Sequence, residues 1–357
     1  MEKRGLLFIP DISGFTRFVT ETEIDHSRSI IQELLEILIN ANQIGLEVSE
    51  IEGDAILFYK YGESPDLPAL YAQVEKMFCE FHRHLGAYEI SRYCQCRACR
   101  SAINLTLKVI SHYGEFTGYS VKNFNKLIGK DVIVAHQLLK NDIPQHEYWL
   151  VTDNLVPDSP DELTQWMKWN SSTKKTETGE IAFHYTQLSH LKKQASLPAP
   201  DRGGIAYPVK VFSITREFDT HMIQLFHATG DFKYRHRWQP DVTRVEELGH
   251  FLPRVGMRCR LVTDHGDIVI HASGYSFKPD RIQFNETDER KINSVFYTLE
   301  KIDNFRTRLS IDVYQSKNFA RQALFQIIHE KKLRMRMQQS MVNLETLIKE
   351  LNVSPEY

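Results

Sequence analysis

The feature that most constrains the fold is an N-terminal stretch in which a short apolar run ends in an acid. Residues 6–9 are apolar, Asp11 follows almost at once, and the small residues Ser13 and Gly14 precede an amphipathic segment that begins at Phe15. This order predicts a buried strand that delivers a carboxylate to a turn at the start of a helix.

A second carboxylate comes from a predicted β-hairpin. Residues 48–59 alternate between apolar and polar on either side of Glu-Gly-Asp, which indicates two strands with Gly53 and Asp54 at the tip. The two carboxylates would lie on neighbouring strands, with Asp11 beside a helix N-terminus. Such a place suits a hard divalent cation together with a phosphate, because magnesium prefers oxygen ligands and helix N-termini offer free N–H groups to anions.

Four motifs in this order resemble the class III nucleotide cyclase domain. They are Asp-Ile-Ser-Gly-Phe-Thr at residues 11–16, Glu-Ile-Glu-Gly-Asp-Ala at 50–55, the strand-like segment at 107–115 and the helix-like segment at 129–138. The resemblance covers roughly the first half of the chain. It implies a ferredoxin-like α/β sandwich of the nucleotide cyclase type, a nucleotide ligand and a homodimer, since cyclase-like domains commonly dimerise.

The resemblance also implies a metal and nucleotide site. Asp11 and Asp54 match the family's two metal aspartates, which would hold one or two Mg²⁺ or Mn²⁺ ions bridging nucleotide phosphates. Gly14, Phe15 and Thr16 would lie beside the nucleotide. The alternative is that the two aspartates serve only as a turn cap and a hairpin tip.

The purine-reading positions of the family fall on Glu50 and Lys126. A Glu at the first position goes with guanine in the family, but a Lys at the second matches neither adenine nor guanine enzymes. Two interpretations stay open. An ion pair between Glu50 and Lys126 fills the base pocket, or the base specificity is altered.

The sharpest departure from the family lies on the predicted nucleotide-binding helix. The family's Asn-x-x-x-Arg, which orients the ribose and stabilises the transferred phosphoryl group, falls here on Ile133 and Gln137. Ile has no hydrogen-bonding group and Gln is neutral, whereas loss of an arginine that acts on phosphoryl charge costs roughly 10³–10⁵ in rate. We therefore predict little or no cyclase activity, and no catalytic residue.

Three cysteines within six residues form a motif that the cyclase family does not explain. Cys94, Cys96 and Cys99 have a spacing that can wrap a tetrahedral Zn²⁺. Two alternatives stay open, a redox-sensitive thiol pair and three small residues with a purely structural role. The fourth zinc ligand is predicted to come from one of four residues, Cys79, His82, His84 or His112.

The second half predicts a different domain. One strand, short helices, a run of antiparallel strands and a long helix at about residues 317–351 resemble the helix-grip fold of the START-like and polyketide-cyclase-like (SRPBCC) superfamily. Trp238 and residues 253–257 lie where that family places a turn and a strand entry. The resemblance implies an antiparallel sheet, a long C-terminal helix and a cavity for an apolar small molecule or lipid. Predicted boundaries are 1–193 for the first domain, 194–204 for a Pro- and Gly-containing linker and 205–357 for the second.

Composition narrows the function. The net charge of −2 gives no electrostatic case for nucleic acid. No apolar run approaches the roughly 20 residues of a membrane span, and five cysteines, an odd number, argue against a secreted disulfide framework. We therefore expect a cytoplasmic α+β protein of two domains that acts as a regulator or sensor. The alternatives are an active, divergent guanylate or adenylate cyclase, and a dimeric scaffold in which both sites are vestigial.

Overall fold

A computed structural model describes residues 3–92, 94, 96–156, 167–176, 179–195, 205, 208–249, 254–316 and 322–351. The chain is a mixed α+β protein, as predicted, and it divides into two compact units. The first comprises residues 1–89 and 98–198, and the second comprises residues 90–97 and 199–357. Most of the predicted linker, residues 194–204, lies outside the described residues, so the predicted domain boundaries stay predictions.

The chain before residue 195 builds a mixed sheet and five helices among its described residues. Its sheet has the strand order β2-β3-β1-β4-β6-β8-β7, with β5 paired to β4. Only β4 and β6 run parallel among the described pairs. The elements are β1 (Lys3–Ser13), α1 (Phe15–Glu21), α2 (Ile24–Asn40), β2 (Glu47–Glu52), β3 (Ala55–Tyr61), α3 (Leu67–Ser91), α4 (Arg97–Ser101), β4 (Thr106–Val121), β5 (Phe124–Ile128), α5 (Lys130–Leu139), β6 (Tyr148–Thr152), β7 (Trp169–Thr176) and β8 (Gly179–Gln187).

Helices cover both faces of this sheet. Residues 6–9 of β1 are each 1% exposed or less, so the central strand is buried on both sides. On one face Leu7 packs in a core cluster with Ala135 and other residues of α5. On the other face the ring of Trp149 in β6 lies 6.1 Å from that of Tyr71 in α3. The apolar run at the N-terminus is therefore a buried strand inside a sandwich, as its sequence predicts.

Three local features of the first half of the chain were not predicted. The cysteine segment contains a short helix, because residues 97–101 form α4. The strand-like segment at residues 107–115 is part of a longer strand, β4, which runs without a break from Thr106 to Val121. β7 was not predicted, because its exposed polar residues show no apolar alternation. The neighbouring segment at residues 157–166 lies outside the described residues.

The second unit contains an antiparallel sheet and a long helix. The sheet has the strand order β10-β11-β12-β13-β14-β15-β9 among the described residues. Its elements are β9 (Pro208–Phe218), α6 (Met222–Gly230), α7 (Arg235–Trp238), β10 (Val242–Glu247), β11 (Arg258–Thr263), β12 (Ile268–Lys278), β13 (Arg281–Asp288), β14 (Asn293–Lys301), β15 (Thr307–Ser316) and α8 (Gln322–Glu350).

The long helix α8 covers the core of this sheet. Met341, Leu344, Leu347 and Ile348 of α8 join one hydrophobic cluster with side chains of the sheet, α6 and α7. The predicted strands and final helix are present, whereas β10 was missed. Membership of the START-like family stays a prediction. None of the described helices has the length and apolar character that a membrane-spanning helix needs.

Candidate functional site

The two predicted metal aspartates lie side by side where β1 meets the β2–β3 hairpin. Asp11 is paired with Ala55 of β3, and the N–H of Ile12 donates to the carbonyl of Asp54 over 3.0 Å. Gly53, in the hairpin turn, has φ of +62°, a conformation that glycine adopts without strain. The sequence therefore predicted this hairpin correctly, and the turn holds Asp54 beside the end of β1.

A lysine accompanies the two carboxylates. Lys108 lies opposite Asp11 on β4, and its Nζ is 3.5 Å from Asp11 Oδ1 and 3.3 Å from the carbonyl of Leu139 at the end of α5. Burial raises the pKa of Asp11 to about 6; Lys108 lowers this pKa and the negative charge of Asp54 raises it. Burial also raises the pKa of Asp54. The single positive charge of Lys108 thus neutralises only part of the negative charge of Asp11 and Asp54. The remaining negative charge suits a divalent cation between the two carboxylates. Sequence reasoning missed Lys108.

The predicted nucleotide-contacting turn lies next to this pair. Gly14 caps the seven-residue helix α1 with φ of +91° and is exposed, as is Thr16, while Phe15 is half-buried. A Cβ added to Gly53 would lie 3.6 Å from the ring of Phe15, so this ring packs on the hairpin turn. Phe15 thus supports the turn that carries Asp54. Binding of nucleotide by these three residues stays a prediction.

Glu50 and Lys126 form an ion pair between β2 and β5, with the lysine Nζ donating to Glu50 Oε2. The glutamate side chain is 13% exposed and that of the lysine 42% exposed, so the pair is half-buried. Such a pair contributes little net stability, since the cost of desolvating its charges offsets much of their attraction. That this ion pair fills a base pocket stays a prediction.

The positions that replace the family's Asn and Arg lie one turn apart on α5. Ile133 is 52% exposed, which is unusual for a large apolar side chain on a helix that covers a core. Oε1 of Gln137 is buried without a hydrogen-bond partner in the described part of the chain. Neither side chain brings positive charge to the region of Asp11 and Asp54.

A buried network that the sequence did not predict holds α5 against β4. His112 Nδ1 is 2.8 Å from Thr152 Oγ1, and its Nε2 is 3.0 Å from Asp131 Oδ1. The other oxygen of Asp131 accepts the N–H of Glu115 over 2.6 Å. The hydrogen bond from His112 is the largest of the effects that hold the pKa of Asp131 below its usual value. The signal available in the sequence was a histidine within a predicted strand.

The three cysteines of the predicted zinc motif come together with a histidine that we did not consider. The ligand atoms of His26, Cys94, Cys96 and Cys99 all lie within 4.8 Å of one another, and the three thiols are buried. This cluster has the composition of a metal site.

The four predicted fourth ligands are wrong, because the described residue that joins the three cysteines is His26. Burial and the charge of Lys192 lower the pKa of His82 to about 4. His84 pairs with Glu33, and His112 belongs to the network described above. Cys79 Sγ lies 3.9 Å from the carbonyl of Leu191.

The second unit contains a cavity of 560 Å³ under α8. Apolar side chains from β10, β11, β12, β14, β15 and α8 line much of it; among them are Val242, Leu261, Ile270, Val295, Val313 and Met337. A half-exposed ion pair between Asp241 and Arg336, 3.6 Å apart, also lines the cavity. The cavity can therefore receive a largely apolar molecule that carries polar groups.

One buried part of the cavity wall is charged. Arg235 is only 1% exposed and donates from Nη2 to Glu286 and from Nη1 to Tyr297 Oη over 2.9 Å. Its guanidinium lies 4.9 Å from the centre of the Trp238 ring. Burial raises the pKa of Glu286, and the charge of Arg235 pulls it down. Sequence reasoning missed this buried arginine, which is only 1% exposed.

The family model and the curated relative that match this sequence are both described without an activity. A family model described as a protein of unknown function (DUF2652) matches residues 31–148. An uncharacterized protein of Mycobacterium tuberculosis is 29% identical over 166 residues, which are 46% of this chain and 77% of that protein.

Solved structures similar to the first half of the chain include nucleotide cyclases. The guanylate cyclase domain from Catenaria anguillulae, solved in complex with GTP, is 15% identical and covers 52% of this chain and 98% of that one, with a TM-score of 0.37. The adenylyl cyclase CyaB from P. aeruginosa is 14% identical and covers 53% of this chain and 96% of its own, with a TM-score of 0.35.

Proposed function

We propose that this protein is a non-catalytic, cyclase-like regulatory protein whose second unit binds a hydrophobic small molecule or lipid. The observation that carries the proposal is the cavity of 560 Å³ under α8. Its volume falls within the range of about 300–1,000 Å³ in which ligand pockets usually lie. Its apolar walls would supply binding free energy, and the polar groups among them would orient the ligand.

The side chains at the buried end of the cavity limit the kind of ligand that can bind there. Arg235, Glu286 and Tyr297 are paired with one another, so the ligand need not neutralise a bare charge there. A hydroxyl or carbonyl group on an otherwise apolar molecule would suit this end, because the trio offers both donors and acceptors.

Native mass spectrometry of the purified full chain, followed by organic extraction, tests this function. We expect a co-purified apolar molecule that is lost in Val295→Trp, which fills the cavity. Val342→Trp is the matched control, because Val342 is 47% exposed on α8. A chain that binds no apolar molecule, even when incubated with a mixture of fatty acids and sterols, contradicts the proposal.

A second candidate concerns the first unit, which we propose to bind a divalent cation and a nucleotide without turnover. It is favoured by the two adjacent carboxylates, whose raised pKa values reflect burial without full compensation. Ile133 and Gln137 supply no charge for phosphoryl transfer.

A thermal-shift panel of ATP, GTP and their cyclic products, each with and without Mn²⁺, tests this second candidate. Because binding stabilises by an amount set by ligand concentration over Kd, weak binding at millimolar nucleotide still registers. We expect a metal-dependent shift without cyclic product. Formation of cyclic nucleotide at an enzymatic rate would restore the active-cyclase alternative, and no shift would favour the vestigial scaffold.

A further inference from the structure

We propose that His26, Cys94, Cys96 and Cys99 bind one structural zinc ion. Their four ligand atoms lie within 4.8 Å of one another. His26 Nδ1 is 3.4 Å from Cys99 Sγ. In a tetrahedral site with Zn–S of about 2.3 Å and Zn–N of about 2.0–2.1 Å, neighbouring ligand atoms are roughly 3.5–3.8 Å apart. The cluster therefore needs only a small contraction to surround the ion.

Local backbone structure brings the ligands together. Cys94 and Cys96 precede α4, Cys99 lies within α4, and His26 lies in the first turn of α2. The N–H of Ala98 donates to Glu23 Oε2 over 3.1 Å, which ties the start of α4 to the residue before α2. The helices that carry Cys99 and His26 are thus joined by a contact that none of the four proposed ligands makes.

Hydrogen-bond donors lie close to two of the three sulfur atoms. The N–H of Cys96 lies 3.5 Å from Cys94 Sγ, and the hydroxyl of Tyr88 donates to Cys99 Sγ over 2.9 Å. Arg92 donates to the carbonyl of Cys94, which places positive charge beside the cysteine segment. Three thiolates and a neutral imidazole around Zn²⁺ carry a net charge of −1, which such donors and a nearby arginine stabilise.

The ligand set selects the metal and its role. Soft thiolates favour zinc over magnesium, calcium or manganese, which prefer oxygen. Four protein ligands close the coordination sphere, so the ion would have no open position for a substrate and would act structurally. A disulfide is the competing use of neighbouring thiols, but none of these three described cysteines is disulfide-bonded. This inference is independent of the function proposed above.

Elemental analysis of the full chain, purified without chelator and without a metal-affinity step, tests the site. We expect about one zinc per chain, and three thiols that alkylate only after the metal is removed with a strong chelator. His26→Ala and Cys96→Ser should each lower the zinc content, whereas Cys79→Ser, a cysteine outside the cluster, should leave it unchanged.

Cobalt titration of the metal-free wild-type protein is a second test of the site, which does not depend on whether a cysteine variant folds. We expect the thiolate-to-metal charge-transfer absorption and the intense visible bands of tetrahedral cobalt, with zinc displacing the cobalt. Wild-type protein that holds no stoichiometric zinc and gives no such spectrum would overturn the proposal. A disulfide between two of the three cysteines in freshly purified protein would also overturn it.

Discussion

Asp11 is a carboxylate whose surroundings disfavour its charge. Its side chain is nearly buried, a second acid lies nearby, and its only described ion-pair partner is Lys108 at 3.5 Å. With a folded-state pKa of about 6 against an ordinary value of 3.8, ionisation costs the folded state more than the unfolded chain. The free energy of unfolding that Asp11 contributes therefore falls as the pH rises from about 4 to about 6.

This shift gives metal binding a characteristic pH dependence. Below pH 6 a cation must displace a proton from Asp11, so the apparent affinity for Mn²⁺ should fall about fivefold between pH 6 and pH 5. Thermal shifts with Mn²⁺ measured from pH 5 to pH 8 check this expectation.

Asp11→Asn is the matching variant, and we expect it to abolish the Mn²⁺ shift at every pH. Asp142→Asn, which changes an exposed aspartate, should behave as the wild type. An undiminished shift in the Asp11 variant would contradict the assignment of this residue as a ligand.

At the scale of the element, α5 is fixed to β4 by a contact that only glycine permits. A Cβ on Gly114 would lie 2.2 Å from Cγ of Asp131, the side chain that also contacts His112. The first turn of α5 thus approaches the backbone of β4 closely. This close approach determines the positions of Ile133 and Gln137, which follow on the same helix.

Gly114→Ala should therefore destabilise the first unit by roughly 1–3 kcal/mol, the usual cost of overpacking. Urea unfolding measures this change. Gly118→Ala on the same strand is the control, because the nearest atom there would be 3.8 Å away, an ordinary contact. Equal stability of the two variants would contradict this expectation, because it would show that α5 can shift away from β4 at little cost in free energy.

Local sequence patterns predicted helices, strands and turns better than they predicted which side chains contact each other across the fold. The apolar run before Asp11 and the Gly53 turn are local signals, and the structure confirms both. The contact of His26 with Cys99 joins residues 73 positions apart, and no local pattern specifies it. The burial of Arg235 was missed for the same reason, since it depends on pairing with Glu286 in a distant strand.

At the scale of the whole molecule, each unit contains a buried polar anchor. The first has His112 with Asp131, and the second has Arg235 with Glu286 and Tyr297. The second anchor ties α7 to β13 and β14, so it specifies how a helix docks on a sheet. Removing one member of such a pair leaves an uncompensated buried charge.

Arg235→Met should cost about 3–5 kcal/mol of unfolding free energy, because Glu286 would remain buried without its partner. The double variant Arg235→Met with Glu286→Leu should recover much of that loss. Chemical denaturation of the two variants provides the comparison. Arg258→Met is the control, because its ion pair with Glu289 is exposed and should contribute less than about 1 kcal/mol. A double variant no more stable than the single one would contradict this account.

The pairing of β9 with β15 has a consequence for synthesis on the ribosome. Glu217 in β9 pairs with Arg308 in β15, 91 residues later. At about 5–20 residues per second, β9 emerges roughly 5–18 s before its partner strand. During that interval the nascent chain presents an unpaired strand edge, and α8, which covers the apolar face, is made later still. The second unit therefore closes only after β15 and α8 have been made, and chaperones that shield strand edges should matter most during that interval.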